Sequence, residues 1–102
     1  MIALVFSYEV RDPDAFERAY GADGDWARFF RLGVGYIGTE LLHDVEIPTR
    51  YIVIDRWDSA EAYNTFASER RDEYMSRVDD SRFFYDQELR FGTFENVWHE
   101  PT

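Results

Sequence analysis

No cysteine occurs in the 102 residues. Disulfides and thiolate metal sites are thereby excluded, and the redox compartment is left open. Basic residues are scarce, 11 against 21 acidic ones, for a formal net charge of −10. That balance disfavours nucleic acid and anionic membranes, both of which reward basic patches. An acidic, solvated surface is its simplest reading. No apolar run is long enough to span a membrane. The first strand begins almost at Met1, without the basic n-region or uniform apolar run of a signal peptide, so the cytoplasm is the expected compartment. The few glycines form no phosphate loop, since Gly21 to Gly24 lacks the strand-to-helix context. His43 and His99 have no carboxylate at metal-ligand spacing, and no Ser-His-Asp triad is suggested. No metal and no cofactor are expected.

Aromatic residues are abundant. Nine Phe, seven Tyr and three Trp make 19% of the chain. A chain of this length is one domain, residues 1–102, with one thin core. A two-layer core of that size does not bury so much ring area. Part of it is expected to line a pocket or a subunit contact.

Alternation from Ile2 to Val10 predicts a strand with Ile2, Leu4, Phe6 and Tyr8 on one face. Asp12 is a helix cap and Pro13 suits the first helical position. Phe16 and Tyr20 recur at helical spacing. Gly21 and Gly24 interrupt, and a second short helix carries Trp26, Phe29 and Phe30 up to Gly33. Gly35 to Asp44 and Thr49 to Trp57 read as a hairpin. Asp58 to Glu61 has capping-box spacing and opens one long helix with the stripe Ala62, Tyr63, Phe66, Ala67, Arg70, Tyr74 and Val78. Glu88 to Trp98 is the last strand. The order β-α-β-β-α-β is the α+β, ferredoxin-like arrangement: a four-stranded antiparallel sheet with its helices on one face.

The strands also predict a partner. An antiparallel sheet covered on one face alternates apolar and polar residues. Here Tyr51, Val53 and Trp57 take one face while Ile52 and Ile54 take the other, and strands one and two are likewise two-faced. The helices cover one surface only. A second copy laid sheet to sheet, a homodimer, covers the other.

The stretch Arg50 to Phe66 (RYIVIDRWDSAEAYNTF) resembles the antibiotic biosynthesis monooxygenase family, whose members are dimeric α+β barrels. Trp57, Ser59, Glu61 and Ala62 carry the likeness. Gly35 to Leu42 resembles the family's second strand, and Glu88, Phe91, Gly92 and Phe94 its fourth. The resemblance implies oxidation of a small phenolic or hydroquinone-type ring by O2 without flavin, haem or metal, in a cavity between sheet and helices. It places Trp57, Tyr63 and Arg77 around the substrate. The family's Asn, four residues before the Trp, is Val53 here. A haem-degrading relative is a poorer fit, because its Asn, Trp and His positions fall near Ser7, Phe66 and Ser76.

The residues themselves allow this chemistry. Val53, Asp55 and Trp57 share strand parity. Tyr63 and Arg77, fourteen apart, lie within about 40° of one another on a continuous helix. Trp57, Tyr63 and Phe66 are expected to stack on the ring, with Tyr74 beside them. Arg77, or Arg70 within the apolar stripe, is the candidate cation for a phenolate. Asp55 ranks ahead of His43 and Tyr63 as general base, and burial must raise its pKa for that task. Against these stand plainer roles: Trp57, Tyr63 and Phe66 as core, Arg77 paired with Glu73 at i−4, and His43 solvated. The competing function is a non-catalytic small-molecule binder, or an isomerase, on the same barrel.

Overall fold

The computed structural model describes residues 1–97. Trp98, the expected end of the last strand, and His99 lie outside them. Strand β1 (Ile2–Val10) runs into α1 (Pro13–Tyr20) and α2 (Asp25–Phe30). The hairpin β2 (Tyr36–His43) and β3 (Arg50–Trp57) follows. Then come α3 (Ala60–Glu69), α4 (Arg71–Ser81), a 3-10 turn at Arg82–Phe84 and β4 (Tyr85–Glu95). The sheet order is β2-β3-β1-β4, antiparallel throughout. This is the ferredoxin-like α+β fold.

Local chemistry sets the helix starts. The Asp12 carboxylate accepts from Ala15 N at 3.2 Å, with Pro13 in the first turn. The Ser59 hydroxyl accepts from Ala62 N at 3.1 Å and caps α3. Each satisfies an amide that the first helical turn leaves free.

The second helix is two helices. Arg70 departs from helical geometry, with φ −118° and ψ 33°. Neither Gly nor Pro occurs between Ala60 and Ser81, so the sequence carries no local signal for the break. Packing supplies the reason. Phe66 on α3 meets Phe29 and Trp57, while Tyr74 on α4 meets Trp26 and Phe29. Two short helices reach both targets, and tertiary contact overrides a good helical propensity.

The core lies between helices and sheet. Alternation on β3 buries Tyr51, Val53, Asp55 and Trp57 and leaves Ile52 and Ile54 half-buried on the outer face. Leu42, Leu89 and Phe94 are exposed. Registers place Leu42 opposite Ile52, Leu89 opposite Ser7 and Phe94 opposite Ala3, so all three stand on that outer face. Among the described residues no helix covers it, and none is long and apolar enough to cross a membrane.

Candidate active site

A cavity of about 130 Å³ opens between the helices and the sheet. That is the scale of one small ring rather than a drug-sized ligand. Its sheet wall is Phe6 and Tyr8 on β1, Thr39 on β2, Val53 and Asp55 on β3, and Glu88 on β4. The helices contribute Tyr20, Trp26, Phe30, Tyr74 and Val78, and Tyr85 closes one side. Strand parity puts Asp55 and Val53 here, because the same alternation that buries Trp57 points them inward.

Asp55 is the buried charge of the site, at 7% exposure. The hydroxyl of Thr39, its partner across the β2–β3 pair, donates to Oδ1 at 2.7 Å. Tyr36 lies 2.5 Å from the Thr39 hydroxyl and donates to it, since that hydroxyl's own proton goes to the carboxylate. Burial raises the Asp55 carboxyl and the Thr39 bond lowers it, leaving it at about 6. At the other end Tyr8 donates to Glu88 Oε2 at 2.5 Å. Burial drives the Tyr8, Tyr20 and Tyr74 hydroxyls well above the ordinary phenol range. They stay protonated, whereas an Asp55 carboxyl at about 6 exchanges its proton near neutral pH.

The residues singled out from the sequence divide into two sets. Val53, Asp55 and Tyr74 line the cavity. Trp57 stands behind its wall, with 0% exposure, edge-on to Phe30, Tyr36 and Tyr63 and tilted against Phe66. Its indole N–H has no hydrogen-bond partner among the described residues. Tyr63 touches the site through its hydroxyl, 2.7 Å from that of Tyr74. Phe66 packs on Phe29, Phe30 and Trp57.

The two arginines are a correction. The break at Arg70 separates Tyr63 from Arg77, so the single-helix angle between them no longer applies. Arg77 lays its guanidinium over the Phe29 ring at 4.1 Å, and the recess it lines with Arg28 and Asp80 is a different one. Arg70, not Arg77, is the partner of Glu73, at 3.4 Å. Among the described residues no arginine lines the cavity. His43 is exposed, stacked on Tyr51 and 2.7 Å from the Pro48 carbonyl, and is likewise outside it. No group of three or more His, Asp and Glu suited to a metal occurs among the described residues.

Sequence reasoning missed Thr39, Tyr8, Tyr20, Trp26 and Glu88 as wall residues. Thr39 needed the hairpin register, and Glu88 the pairing of the two outermost segments of the chain. Strand parity could have put Tyr8 on the inward face, but not at a cavity.

Residues 34–77 match the sequence profile of the antibiotic biosynthesis monooxygenase family. The family this chain resembles is therefore the antibiotic biosynthesis monooxygenases. The matched segment holds every site residue named from the sequence, from Val53 to Arg77, whereas Phe6, Tyr8 and Glu88 lie outside it. No curated protein sequence matches the chain. Among solved structures, SnoaB, a cofactor-independent oxygenase from Streptomyces nogalater, superposes with a TM-score of 0.81 at 19% identity, covering 99% of this chain and 97% of that one. A Deinococcus radiodurans protein assigned to the antibiotic biosynthesis monooxygenases gives 0.76 at 11% identity, over 100% and 98%. MhuD, in a structure with two manganese protoporphyrin IX molecules per active site, gives 0.69 at 19% identity, over 100% of each chain. At these identities the likeness establishes the fold. Chemistries as different as those named share it.

Proposed function

We propose that this protein is a cofactor-independent monooxygenase acting on a small phenolic or hydroquinone-type ring. The observation that carries the reading is the cavity itself: aromatic walls at the scale of one ring, with the buried Asp55 carboxylate set into them. The likeness to a cofactor-independent oxygenase supports it.

Triplet O2 reacts slowly with closed-shell rings because of spin. A phenol evades this by losing one electron and its proton, after which the two radicals combine. One oxygen atom then stays on the ring as the quinone oxygen and the other leaves as water. Among the described residues the wall offers no cation to hold a phenolate, and the Glu88 charge opposes one. The proton therefore passes to Asp55 as the electron leaves, keeping the ring neutral throughout. A carboxyl near 6 serves this better than one at 3.8 by about 3 kcal/mol, at 1.36 kcal/mol per pK unit. Tyr74 and Val53 flank the ring, and Trp57, with Phe66 behind it, stiffens the wall. Cover for the outer sheet face comes from a second copy, and the working form is a homodimer.

Oxygen uptake with hydroquinones, naphthols and anthrones tests the reading. Uptake is expected, and Asp55→Asn is expected to lose most of it. No uptake across the panel by a folded chain sinks the proposal. The rival reading is a binder or proton-shuttling isomerase. The absence of a wall arginine and Val53 at the family's Asn position favour it; ligand stabilisation without oxygen consumption is its signature.

A further inference from the structure

The cavity is polar at both ends and both ends are acidic. Asp55 pairs with Leu4 and Glu88 with Tyr8, on the two strands that flank β1. Four residues at about 3.3 Å along β1, and two strand spacings of about 4.8 Å across it, set their Cα atoms roughly 16 Å apart on one face. Both line the same cavity, and Tyr74 lines it with them. Among the described residues no arginine pairs with either. The ion pairs of the described residues include neither carboxylate. Arg90, two residues beyond Glu88 on β4, instead donates to Thr93 at 2.7 Å.

The Glu88 end is also ringed. Tyr8 stands 5.0 Å from Tyr85, edge-on, and 5.2 Å from Tyr20. A carboxylate beside several aromatic rings is the recognition chemistry of an ammonium ion, which gains from the charge and from the ring faces together. Glu88 is exposed, so a cation can enter there without losing all its water first. The net charge of −10 draws cations towards the molecule and repels anions.

We propose that the cavity takes a phenol bearing a short protonated amine arm, its hydroxyl at Asp55 and its ammonium at Glu88 among the rings of Tyr8, Tyr20 and Tyr85. The hydroxyl half rests on the oxygenase reading above; the ammonium half does not. An aromatic whose arm ends in a carboxylate is excluded by the same charges.

The test is isothermal titration under nitrogen with three probes of matched shape: tyramine, 4-ethylphenol and 4-hydroxyphenylacetate. Tyramine is expected to bind about tenfold more tightly than 4-ethylphenol, and 4-hydroxyphenylacetate not measurably. Glu88→Gln keeps an acceptor for the Tyr8 hydroxyl and removes only the charge. It is expected to abolish the tenfold preference of tyramine over 4-ethylphenol, both measured on the same variant. Equal or tighter binding of the anion, an amine preference that survives Glu88→Gln, or no binding of any probe to folded protein overturns the proposal. Oxygen uptake, followed separately, decides the other reading. Amine binding without uptake removes the oxygenase and leaves the ammonium half of this inference standing. Turnover of neutral phenols with no amine preference does the reverse.

Discussion

Thr39 and Asp55 face one another across the β2–β3 pair, and the Thr39 hydroxyl holds the carboxylate at 2.7 Å. Burial raises Asp55 and this one bond draws it part of the way back, to about 6. Thr39→Val keeps the shape and removes the donor. The Asp55 carboxyl is then expected to titrate above 6, and the acid limb of the pH–rate profile to move up with it. Carboxyl carbon NMR of the labelled protein gives the same value independently of activity. An unmoved limb and an unmoved resonance together exclude Asp55 as the titrating base.

Asp55 is also expected to cost stability. Unfolded, it ionises near 3.8; folded, near 6. Between those values the folded chain holds a proton that the unfolded chain lacks. Its contribution to stability therefore falls as pH rises through that window and is flat above it. Two units correspond to about 3 kcal/mol at pH 7. Asp55→Asn is thus expected to be more stable than the parent at pH 7, by on the order of 2 kcal/mol, and no more stable below pH 3.8. Urea unfolding of both proteins across pH 3 to 8 checks this. A gap that does not close with acid speaks against the burial account.

Gly33 is fixed by close approach. A Cβ there would lie 2.6 Å from Phe66 Cδ1 and 2.8 Å from Trp57 Cη2. Both are rings packed on every side, so neither yields. Gly33→Ala is expected to destabilise the fold by about 1–3 kcal/mol, as overpacking does. Phe66→Leu in the same chain should recover part of the loss, which thermal unfolding of the single and double variants measures.

Arg77 covers the outer side of Phe29 rather than the cavity. Arg77→Ala is expected to lose about 0.5–1 kcal/mol of stability, the scale of a surface cation–π contact. Its kcat/KM for any oxidised phenol should stay within twofold of the parent. A larger fall in kcat without unfolding would return the guanidinium to the reaction.

The outer sheet face carries the prediction about assembly. Ile54 stands near its middle, opposite Val5 and Glu40. Ile54→Asp is expected to turn a sedimenting dimer into a folded monomer, since a buried, unpaired charge in a contact costs several kcal/mol. A parent that sediments as a monomer removes the homodimer outright.

Element order, strand limits and the α1 cap were legible from alternation, Asp12-Pro13 and the hairpin spacing. Each is local chemistry, and the first three strands end within a residue of the expected places, whereas β4 starts at Tyr85, three residues before the expected Glu88. Two things were not legible. The break at Arg70 has no local marker, because it answers to where Phe66 and Tyr74 find partners. The arginines followed from it: one continuous helix would have brought Arg77 round to Tyr63, and two helices do not. For the site, the family resemblance singled out Val53, strand parity added Asp55 beside it, and the helical stripe gave Tyr74. The opposite end, Tyr8 with Glu88, joins residues eighty positions apart. No pattern within either segment announces that pairing.

The edge strands are irregular. β4 slips register against β1 twice, once beside Gly92 at φ +146°, and β2 slips against β3 between Tyr36 and Gly38. A rim with such interruptions is a poor template for another chain's backbone. Open-ended stacking of strands, the route from soluble sheet to fibre, is thereby discouraged at both margins. The homodimer proposed above joins copies by their broad flat sides instead, a contact that closes on itself after two.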